Sequence, residues 1–241
     1  MHEPPIEPVD RSLRQPLPPA RAARLQRLRG LYAIVDGSSP QPPLSLVAAF
    51  IDGGAPVIQI RLKGLGAGPL LSVARAATKL CHDAGRLLLV NDRPDVAKLS
   101  GADGVHLGQD DLPVAAARAL LGPDLLIGLS THSDAELDQG CASGADYLGF
   151  GPIFATATKS ITDPAGAPLP PPHGLAGLRR ACARASLPLV AIGGITDEGA
   201  AGVAEAGAAC AAAIGWLSAA GHAPEARARL FAAAFARGAR P

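Results

Sequence analysis

The sequence predicts an α/β protein that folds as a single (β/α)8 TIM barrel with a short N-terminal extension. Short aliphatic runs alternate with Ala-rich helical segments from Leu31 onward, and eight such runs occur. The length of 241 residues suits one barrel, and the chain is 48% hydrophobic but only 3% aromatic. Small aliphatic side chains of this kind suit helices packed on a parallel sheet. We expect residues 1–30 to form the extension and residues 31–241 the barrel.

The extension has the composition of a weakly structured segment. Residues 1–20 contain repeated prolines and few large apolar side chains, which predicts a disordered or loosely packed stretch. The basic stretch Ala20–Arg29 predicts a short helix. The N-terminus lacks the pattern of a secretory signal, and no apolar run approaches the roughly 20 residues of a membrane span. We therefore expect a cytoplasmic protein that does not bind membranes.

The barrel elements are predicted from the alternation of aliphatic runs and helical segments. The predicted strands are Leu31–Val35, Val57–Leu62, Leu87–Val90, Gly104–Leu107, Leu126–Leu129, Tyr147–Phe150, Leu189–Ile192 and Cys210–Ile214. The predicted helices are Leu44–Asp52, Leu70–Ala84, Val114–Leu121, Ala135–Ser143, Leu175–Ala185 and Glu198–Ala206. Glycine-containing turns such as Gly53-Gly54-Ala55 and Ser143-Gly144-Ala145-Asp146 precede several strands, where glycine ends a helix and lets the chain turn.

Charge and cysteine content narrow the function classes. The formal net charge of +1 gives no support for binding to nucleic acid or to an anionic membrane. Small-molecule ligands held by a local charged site are therefore expected. The four cysteines have no metal-site or CxxC spacing, so buried thiols in a reducing compartment are expected. Both a monomer and a homo-oligomer remain open.

One predicted strand carries an unusual polar row. In the stretch Val57–Lys63, an amide and two cations (Gln59, Arg61 and Lys63) alternate with aliphatic residues. Side chains two apart on a strand share a face, whereas a sheet covered on both sides is apolar throughout. The row indicates either a negatively charged ligand or an edge strand with one face in water.

Polar residues also follow the later strands, at the end of a barrel where active sites lie. They are Asn91-Asp92, Asp110-Asp111, Ser130-Thr131-His132, Thr156 to Lys159 and Gly193-Gly194. Two carboxylates beside the cations suit Mg²⁺ bound to a diphosphate. The alternative is that the aspartates cap the following helices. A Gly-Gly pair can cradle a phosphate or simply form a turn, and His132 could be an acid or base or a structural residue.

Taken in order, these pieces resemble the thiamine phosphate synthase family. The matching segments run from about Leu31 to about Leu217 and are Gln59-x-Arg61-x-Lys63, Val90-Asn91-Asp92, Val105-His106-Leu107-Gly108-Gln109-Asp110-Asp111, Gly128-Leu129-Ser130-Thr131-His132, Gly151-Pro152-Ile153-Phe154, Thr156-x-Thr158-Lys159 and Ile192-Gly193-Gly194-Ile195. The family joins an aminopyrimidine-methyl diphosphate to a thiazole phosphate and releases diphosphate.

The resemblance implies a role for each matching residue. Gln59 and Ser130 would contact the pyrimidine, while Asn91 and the cations Arg61, Lys63 and Lys159 would hold the diphosphate. Asp92 and Asp111 would bind Mg²⁺. Thr156, Thr158, Gly194, Ile214 and Gly215 would hold the thiazole phosphate. The family reaction is described as dissociative, so Arg61, Lys63, Lys159 and Ser130 would act by positioning and electrostatics, without a protein nucleophile.

Other readings stay open at this point. A related thiazole tautomerase would use His132 as the acid or base, and a sugar-phosphate epimerase would not need the cation row. A non-catalytic barrel that binds a phosphate ligand is the alternative outside enzymes. Two segments depart from the family pattern: the Pro-rich stretch Ile161–His173 and the turn Ile214-Gly215-Trp216, where Trp216 is expected to serve packing.

Overall fold

The computed structural model of the chain describes residues 16–156 and 171–239. Eight parallel strands pair in sequence order and close into a barrel, with β1 hydrogen-bonded to β8. The strands are β1 Gly30–Asp36, β2 Val57–Arg61, β3 Leu87–Asn91, β4 Gly104–Leu107, β5 Leu126–Thr131, β6 Tyr147–Phe150, β7 Leu189–Ile192 and β8 Cys210–Ala213. The helices are α1 Pro19–Gln26, α2 Pro43–Asp52, α3 Ala67–Asp83, α4 Pro94–Ser100, α5 Val114–Leu121, α6 Asp134–Ala142, α7 Gly174–Arg184, α8 Asp197–Glu205, α9 Gly215–Ser218 and α10 Pro224–Gly238.

The predicted barrel is confirmed, and each predicted strand lies on an observed one. The predicted helices also match, with shifts of a few residues at their ends. Sequence analysis did not predict α4, α9 or α10. Both α4 and α9 are short, at seven and four residues, so neither shows a clear apolar period. The helix α10 buries Phe231 and Phe235 among the outer helices.

The alternation of side chains along each strand separates two cores. Ile58 and Ile60 of β2 point outward and join the aliphatic layer between the strands and the helices. Val57 points inward and joins a second core inside the barrel, which also contains Tyr32 and Tyr147. Gln59, on the inward face, is only 2% exposed. Gln59 and Arg61 therefore face the interior of the closed barrel, while Lys63 follows the end of β2, and the edge-strand alternative is wrong.

The helix α1 covers the end of the barrel where the strands begin. Its first residue is Pro19, and proline suits this position because its ring presets the helical φ angle. Arg24 Nε lies 3.0 Å from Asp103 Oδ1, and Arg21 Nε lies 3.4 Å from Asp146 Oδ1. Leu28, after the helix, is only 3% exposed. The short helix predicted over Ala20–Arg29 is therefore present as α1 and packs on the barrel, while residues 1–15 lie outside the described part.

Asp103 and Asp146, which pair with the arginines of α1, occupy equivalent positions directly before β4 and β6. Asp103 Oδ2 accepts a hydrogen bond from the backbone N–H of Leu88 at 2.9 Å, and Asp146 Oδ2 accepts one from Ile127 at 2.8 Å. Each aspartate thus ties the turn before its own strand to the preceding strand. Since both are nearly fully buried, these bonds are shielded from water. Within the described ranges, no helix is long and apolar enough to cross a membrane.

Asp146→Ala should lower the free energy of unfolding by about 3 kcal/mol. The substitution leaves the Ile127 N–H and the Arg118 guanidinium without their buried partner. Asp138→Ala is the matched control because it also removes an aspartate paired with arginine, Arg184, but at a site where the Asp138 side chain is 51% exposed. The control substitution should lower the free energy of unfolding by less than about 1 kcal/mol. Urea denaturation measures both, and equal losses would contradict the structural role of Asp146.

Candidate active site

A cavity of about 350 Å³ opens where the strands end. The predicted residues on its wall are Gln59, Arg61, Asn91, Ser130, Thr156, Gly194, Ile214 and Gly215. A neighbouring recess of about 270 Å³ shares Asn91 with this cavity and is lined by Lys63 and Asp92. Lys159 and Thr158 lie outside the described residues, as does most of the Pro-rich segment 161–173. The structure thus gathers the described candidates at one end of the barrel.

The cations of β2 are held by acidic neighbours. Arg61 forms an ion pair with Asp36 at the end of β1, directly across the register of the two strands. Burial alone would raise the pKa of Asp36, but hydrogen bonds from Ser38 and the Arg61 guanidinium outweigh it and lower that pKa. Asp36 therefore stays ionised and fixes Arg61. Sequence analysis missed Asp36, although its place at the end of the first strand was a usable signal.

Lys63 lies beyond the end of β2 and reaches outward. Its Nζ lies 3.2 Å from Asp92 Oδ2, and its side chain is 60% exposed. A long, exposed lysine keeps the freedom to turn toward an anion that enters the recess. The two cations thus differ. The ion pair with Asp36 fixes the position of the Arg61 guanidinium, whereas the exposed Lys63 side chain can change its orientation.

Asp92 and Asp111 form a close pair of carboxylates. Burial raises the pKa of Asp111, and a hydrogen bond and the negative charge of Asp92 raise it further. Asp111 Oδ2 also accepts the backbone N–H of Gly108 at 2.7 Å. Neither aspartate is the N-cap residue of the following helix, since Arg93 precedes α4 and Pro113 precedes α5. The capping alternative is therefore wrong for this pair.

The backbone at Asp92 supports a role in binding. Asp92 has a φ angle of +62°, in the left-handed region that residues other than glycine rarely adopt. Its N–H donates to the carbonyl oxygen of His106 at 2.8 Å, which fixes this conformation. Left-handed aspartate costs roughly 1 kcal/mol, and such strain is often found at functional sites. The strained turn brings the Asp92 carboxylate to Lys63 and Asp111.

Two facing carboxylates fit a divalent cation. Burial and, to a smaller extent, the neighbouring Asp92 raise the pKa of Asp111, and a cation between the two carboxylates would offset their repulsion. Within the described ranges, no group of three or more His, Cys, Asp or Glu side chains could hold a metal. Mg²⁺ nevertheless takes one or two protein carboxylates and completes its shell with water and phosphate oxygens. The donor set therefore fits Mg²⁺ bound together with a phosphorylated ligand.

A chain of hydrogen bonds crosses the floor of the cavity. Gln59 Nε2 donates to the Tyr32 hydroxyl at 2.7 Å, and the Tyr32 and Tyr147 hydroxyls are 3.1 Å apart. The Tyr147 hydroxyl lies 3.0 Å from His106 Nδ1, and His106 Nε2 lies 3.0 Å from Ser130 Oγ. Five strands contribute one residue each. Sequence analysis found Gln59 and Ser130, named His106 only as part of a matching segment, and missed both tyrosines.

Glycine makes room for this chain. Gly128 lies on β5 beside both His106 and Tyr147 in the register of the sheet. A Cβ atom at Gly128 would lie 2.1 Å from Tyr147 Cζ and 2.5 Å from His106 Nδ1. These separations are far below contact distance, so only glycine admits both rings here.

The opposite wall is built from small residues. It contains Gly193, Gly194 and Ala212, followed by Ile214, Gly215 and Trp216. Gly194 has a φ angle of +64°, and a Cβ there would lie 2.3 Å from the carbonyl oxygen of Ala155. The Trp216 ring packs against Phe231 at 6.0 Å between ring centroids, and the Arg227 guanidinium lies 4.7 Å above it. Trp216 thus serves packing, as expected, and also lines the cavity.

His132 lies on the cavity wall within a helix cap. Ser133 Oγ accepts the Glu136 N–H, and Glu136 Oε2 accepts the His132 N–H at 2.7 Å. Ser133 thus caps α6, and Glu136 reaches back to the residue before the cap, which is a variation on the capping box. The same Glu136 oxygen lies 3.1 Å from His132 Nδ1, so the cap also accounts for the ring's position.

Comparison with known proteins identifies the family. Residues 31–217 match the family model described as thiamine monophosphate synthase. The chain belongs to this family. A thiamine-phosphate synthase of Anaeromyxobacter dehalogenans is 49% identical over 226 residues, covering 91% of this chain and 96% of that protein. The solved structure of a thiamine phosphate pyrophosphorylase from Pyrococcus furiosus is 31% identical, with a TM-score of 0.77, and covers 88% of this chain and 98% of that one.

The family assignment bears out the resemblance seen in the sequence. A second relative, the thiamine-phosphate synthase of Moorella thermoacetica, is 47% identical over 168 residues, which cover 70% of this chain and 77% of that protein. The segment that matches the family model, residues 31–217, contains every candidate site residue and all eight strands except Gly30, the first residue of β1. The chain is therefore a transferase of thiamine biosynthesis.

Gly128→Ala should destabilise the protein by about 1–3 kcal/mol, because the added methyl group overlaps Tyr147 and His106. Gly68→Ala in α3 is the control, since a Cβ there meets no atom within 4 Å. Alanine in a helix should be neutral or slightly stabilising. Chemical denaturation followed by circular dichroism measures both variants. A Gly128 variant as stable as the control would contradict the packing described here.

Proposed function

We propose that the chain couples 4-amino-2-methyl-5-(diphosphooxymethyl)pyrimidine with a thiazole phosphate, which gives thiamine phosphate and diphosphate. The observation that carries this proposal is the meeting of two unlike charge clusters at one edge of the cavity. The cations Arg61 and Lys63 come from β2 and the turn after it, and the carboxylates Asp92 and Asp111 follow β3 and β4, with Lys63 Nζ 3.2 Å from Asp92 Oδ2. A diphosphate with its metal ion needs both kinds of group.

The diphosphate would bind between these clusters. Arg61, held by Asp36, presents a planar fork of N–H donors that suits phosphate oxygens. Lys63 can exchange its contact with Asp92 for one with the ligand because both groups reach solvent. Asn91 lines both the cavity and the recess, and its amide can donate to a phosphate oxygen between them. Lys159, by resemblance, would add a third cation.

We propose that Asp92 and Asp111 hold Mg²⁺. When bound, the ion would stabilise the negative charge that develops on the departing diphosphate. The support for this assignment is the closeness of the two carboxylates and the strained backbone that presents one of them. The protein's own contribution is to hold the two oxygens in place before the substrate arrives.

The reaction breaks the bond between the pyrimidine methylene carbon and the diphosphate oxygen, and both electrons leave with diphosphate. The amino-substituted pyrimidine ring then carries the positive charge. The lone pair of the thiazole nitrogen forms the new carbon–nitrogen bond. No proton transfer to a protein base is required, so the chain needs to orient two ligands and stabilise charge. Gln59 and Ser130 on the cavity floor would orient the pyrimidine.

The thiazole phosphate would bind at the opposite wall. Gly193 and Gly194 line the cavity there and would offer backbone N–H groups to the phosphate, and small side chains leave space for the ring. Thr156, on the same cavity wall, could donate its hydroxyl to the phosphate, and Thr158 would assist by resemblance. Ile214 and Gly215 would complete the pocket.

The observations favour coupling over the alternatives. A thiazole tautomerase or a sugar-phosphate epimerase has no diphosphate to hold and would leave the cation row and the carboxylate pair unused. His132 is also engaged by the α6 cap through Glu136. The similarity to thiamine-phosphate synthases over most of the chain counts against a non-catalytic ligand-binding barrel.

We also propose that the protein works in the reducing cytoplasm. Cys81 and Cys210 are fully buried. Burial raises the pKa of the Cys81 thiol to about 12 and that of the Cys182 thiol to about 11. Such thiols stay protonated and serve as small packing groups.

Arg61→Ala should lower kcat for coupling by about 10²–10³, because one preorganised charge on the leaving group is lost. Arg75→Ala is the matched control, since it removes an arginine from the exposed surface of α3. It should leave kcat unchanged. Thiamine phosphate formation and diphosphate release are both measured. If Arg61→Ala retains full turnover, the diphosphate assignment is wrong.

The metal proposal predicts that a chelator stops coupling and that added Mg²⁺ restores it. Asp111→Asn should raise the Mg²⁺ concentration needed for half-maximal rate by on the order of tenfold or more, because one ligand loses its charge. Asp110→Asn changes the adjacent, exposed aspartate in the same way and should leave the requirement unchanged. Equal Mg²⁺ requirements in the two variants would count against Asp111 as a ligand.

A further inference from the structure

Each hydrogen bond in the chain beneath the cavity has a defined donor and acceptor. The order of donors and acceptors determines which ligand groups the cavity can bind. The members of this chain are Gln59, Tyr32, Tyr147, His106 and Ser130, and this set is called the floor chain. Gln59, Tyr32 and Tyr147 are at most 2% exposed. Since a buried hydroxyl proton without an acceptor is costly, the proton of each phenol must be directed to a partner within the floor chain.

The direction begins at Gln59, whose amide N–H donates to the oxygen of Tyr32. Among the described residues, the Tyr32 hydroxyl has one other hydrogen-bond partner, the Tyr147 hydroxyl. The Tyr32 proton therefore points to the Tyr147 oxygen. Tyr147 must then direct its own proton to His106 Nδ1, 3.0 Å away. Burial raises the pKa of both phenols, so both keep their protons.

The direction fixes the form of the imidazole. A ring nitrogen that accepts a hydrogen bond carries no proton, so the proton of neutral His106 lies on Nε2. That Nε2–H donates to Ser130 Oγ, 3.0 Å away. The Ser130 oxygen is then occupied as an acceptor, and its own proton can point into the cavity that Ser130 lines.

We propose that Tyr147 and His106 are positioning residues that make Ser130 a hydrogen-bond donor toward the ligand. The two ends of the floor chain then offer opposite polarity to the cavity. Ser130 donates, and the amide oxygen of Gln59, whose nitrogen is used by Tyr32, accepts. A ring nitrogen acceptor and an amino donor on one flat heterocycle match this pair. The inference rests on the proposed function and assigns the orientation of its aminopyrimidine.

The glycines beside His106 also restrict how its imidazole can be placed. Gly128 and Gly149 flank His106, and a Cβ at Gly149 would lie 3.1 Å from His106 Cε1. The imidazole is thus held in a narrow slot, its ring 5.5 Å from that of Tyr147 in a stacked arrangement. To exchange its two nitrogens between Tyr147 and Ser130, the ring would have to rotate within this slot.

The first test is direct and needs no substrate. Nitrogen-15 NMR of the labelled wild-type protein reports which nitrogen of His106 carries the proton, and a His106→Gln sample assigns the signals. We expect an unprotonated Nδ1 and a protonated Nε2. A proton on Nδ1, or on both nitrogens, would reverse or break the chain and overturn the proposal. Failure of the coupling reaction itself would not alter this readout, so the two proposals can fail separately.

The second test uses kinetics. Tyr147→Phe removes the proton that fixes His106, and it should raise KM for the pyrimidine diphosphate about fivefold to tenfold, the worth of one hydrogen bond. The KM for the thiazole phosphate and kcat should change little. The double variant of Tyr147→Phe and Ser130→Ala should raise KM for the pyrimidine diphosphate no more than Ser130→Ala alone does, because both substitutions remove the same contact with the ligand. Additive losses, or an unchanged KM in Tyr147→Phe, would overturn the proposal.

A matched control separates positioning from loss of stability. Ser100→Ala removes another buried hydroxyl, whose Oγ donates to the carbonyl oxygen of Ala97 at 3.2 Å in α4. It should lower the melting temperature without changing either KM. If Ser100→Ala raises KM for the pyrimidine diphosphate as Tyr147→Phe does, the effect is general loosening and the positioning role is refuted.

Discussion

Pairing between β8 and β1 closes the sheet, and every feature of the candidate site depends on this closure. The register joins Gly30 to Cys210 and Ala33 to Ala213. An open sheet would leave the cations of β2 far from the glycines that follow β7. In the closed ring, the ends of all eight strands meet around one cavity. Residues separated by more than a hundred positions in sequence therefore act together.

Closure also creates an interior that must accept polar groups. The lower part of the barrel is filled by aliphatic side chains such as Val57, Leu87 and Leu126. Above them the floor chain is polar, but each member is hydrogen-bonded to its neighbour, which offsets the cost of burying an amide and two phenols. This division gives a dry, rigid base to a cavity whose rim is charged. The hydrogen-bonded base suits the orientation of a ligand. The exposed side chain of Lys63 suits its capture.

Charge at the rim is balanced in pairs before any ligand binds. Asp36 neutralises Arg61, and Lys63 lies against Asp92. Asp111 is partly buried beside a like-charged neighbour, and burial first and Asp92 second raise its pKa. The cluster as a whole is thus prepared for a ligand that brings both negative charge and a cation. The near-neutral net charge of the chain agrees with a site whose electrostatics are local.

Much of this arrangement could be predicted from the sequence, because strand alternation and strand order determine it. The polar row on β2 and the carboxylates after β3 and β4 were visible as departures from aliphatic runs. Tyr32 and Tyr147 were not, because an aromatic residue in an apolar run is indistinguishable from core filling. Asp36 was missed for a related reason: its partner Arg61 is adjacent only in the register between two strands. The packing of α1 depended on ion pairs across the barrel, which composition does not encode.

A crystal structure with the pyrimidine diphosphate and Mn²⁺ in place of Mg²⁺ would test the central claim most directly. The account predicts an anomalous scattering peak between the Asp92 and Asp111 carboxylates, with the diphosphate oxygens contacting Arg61 and Lys63. It also predicts the pyrimidine ring above Gln59 and Ser130. A metal peak elsewhere, or a diphosphate seated against Gly193 and Gly194, would contradict the account.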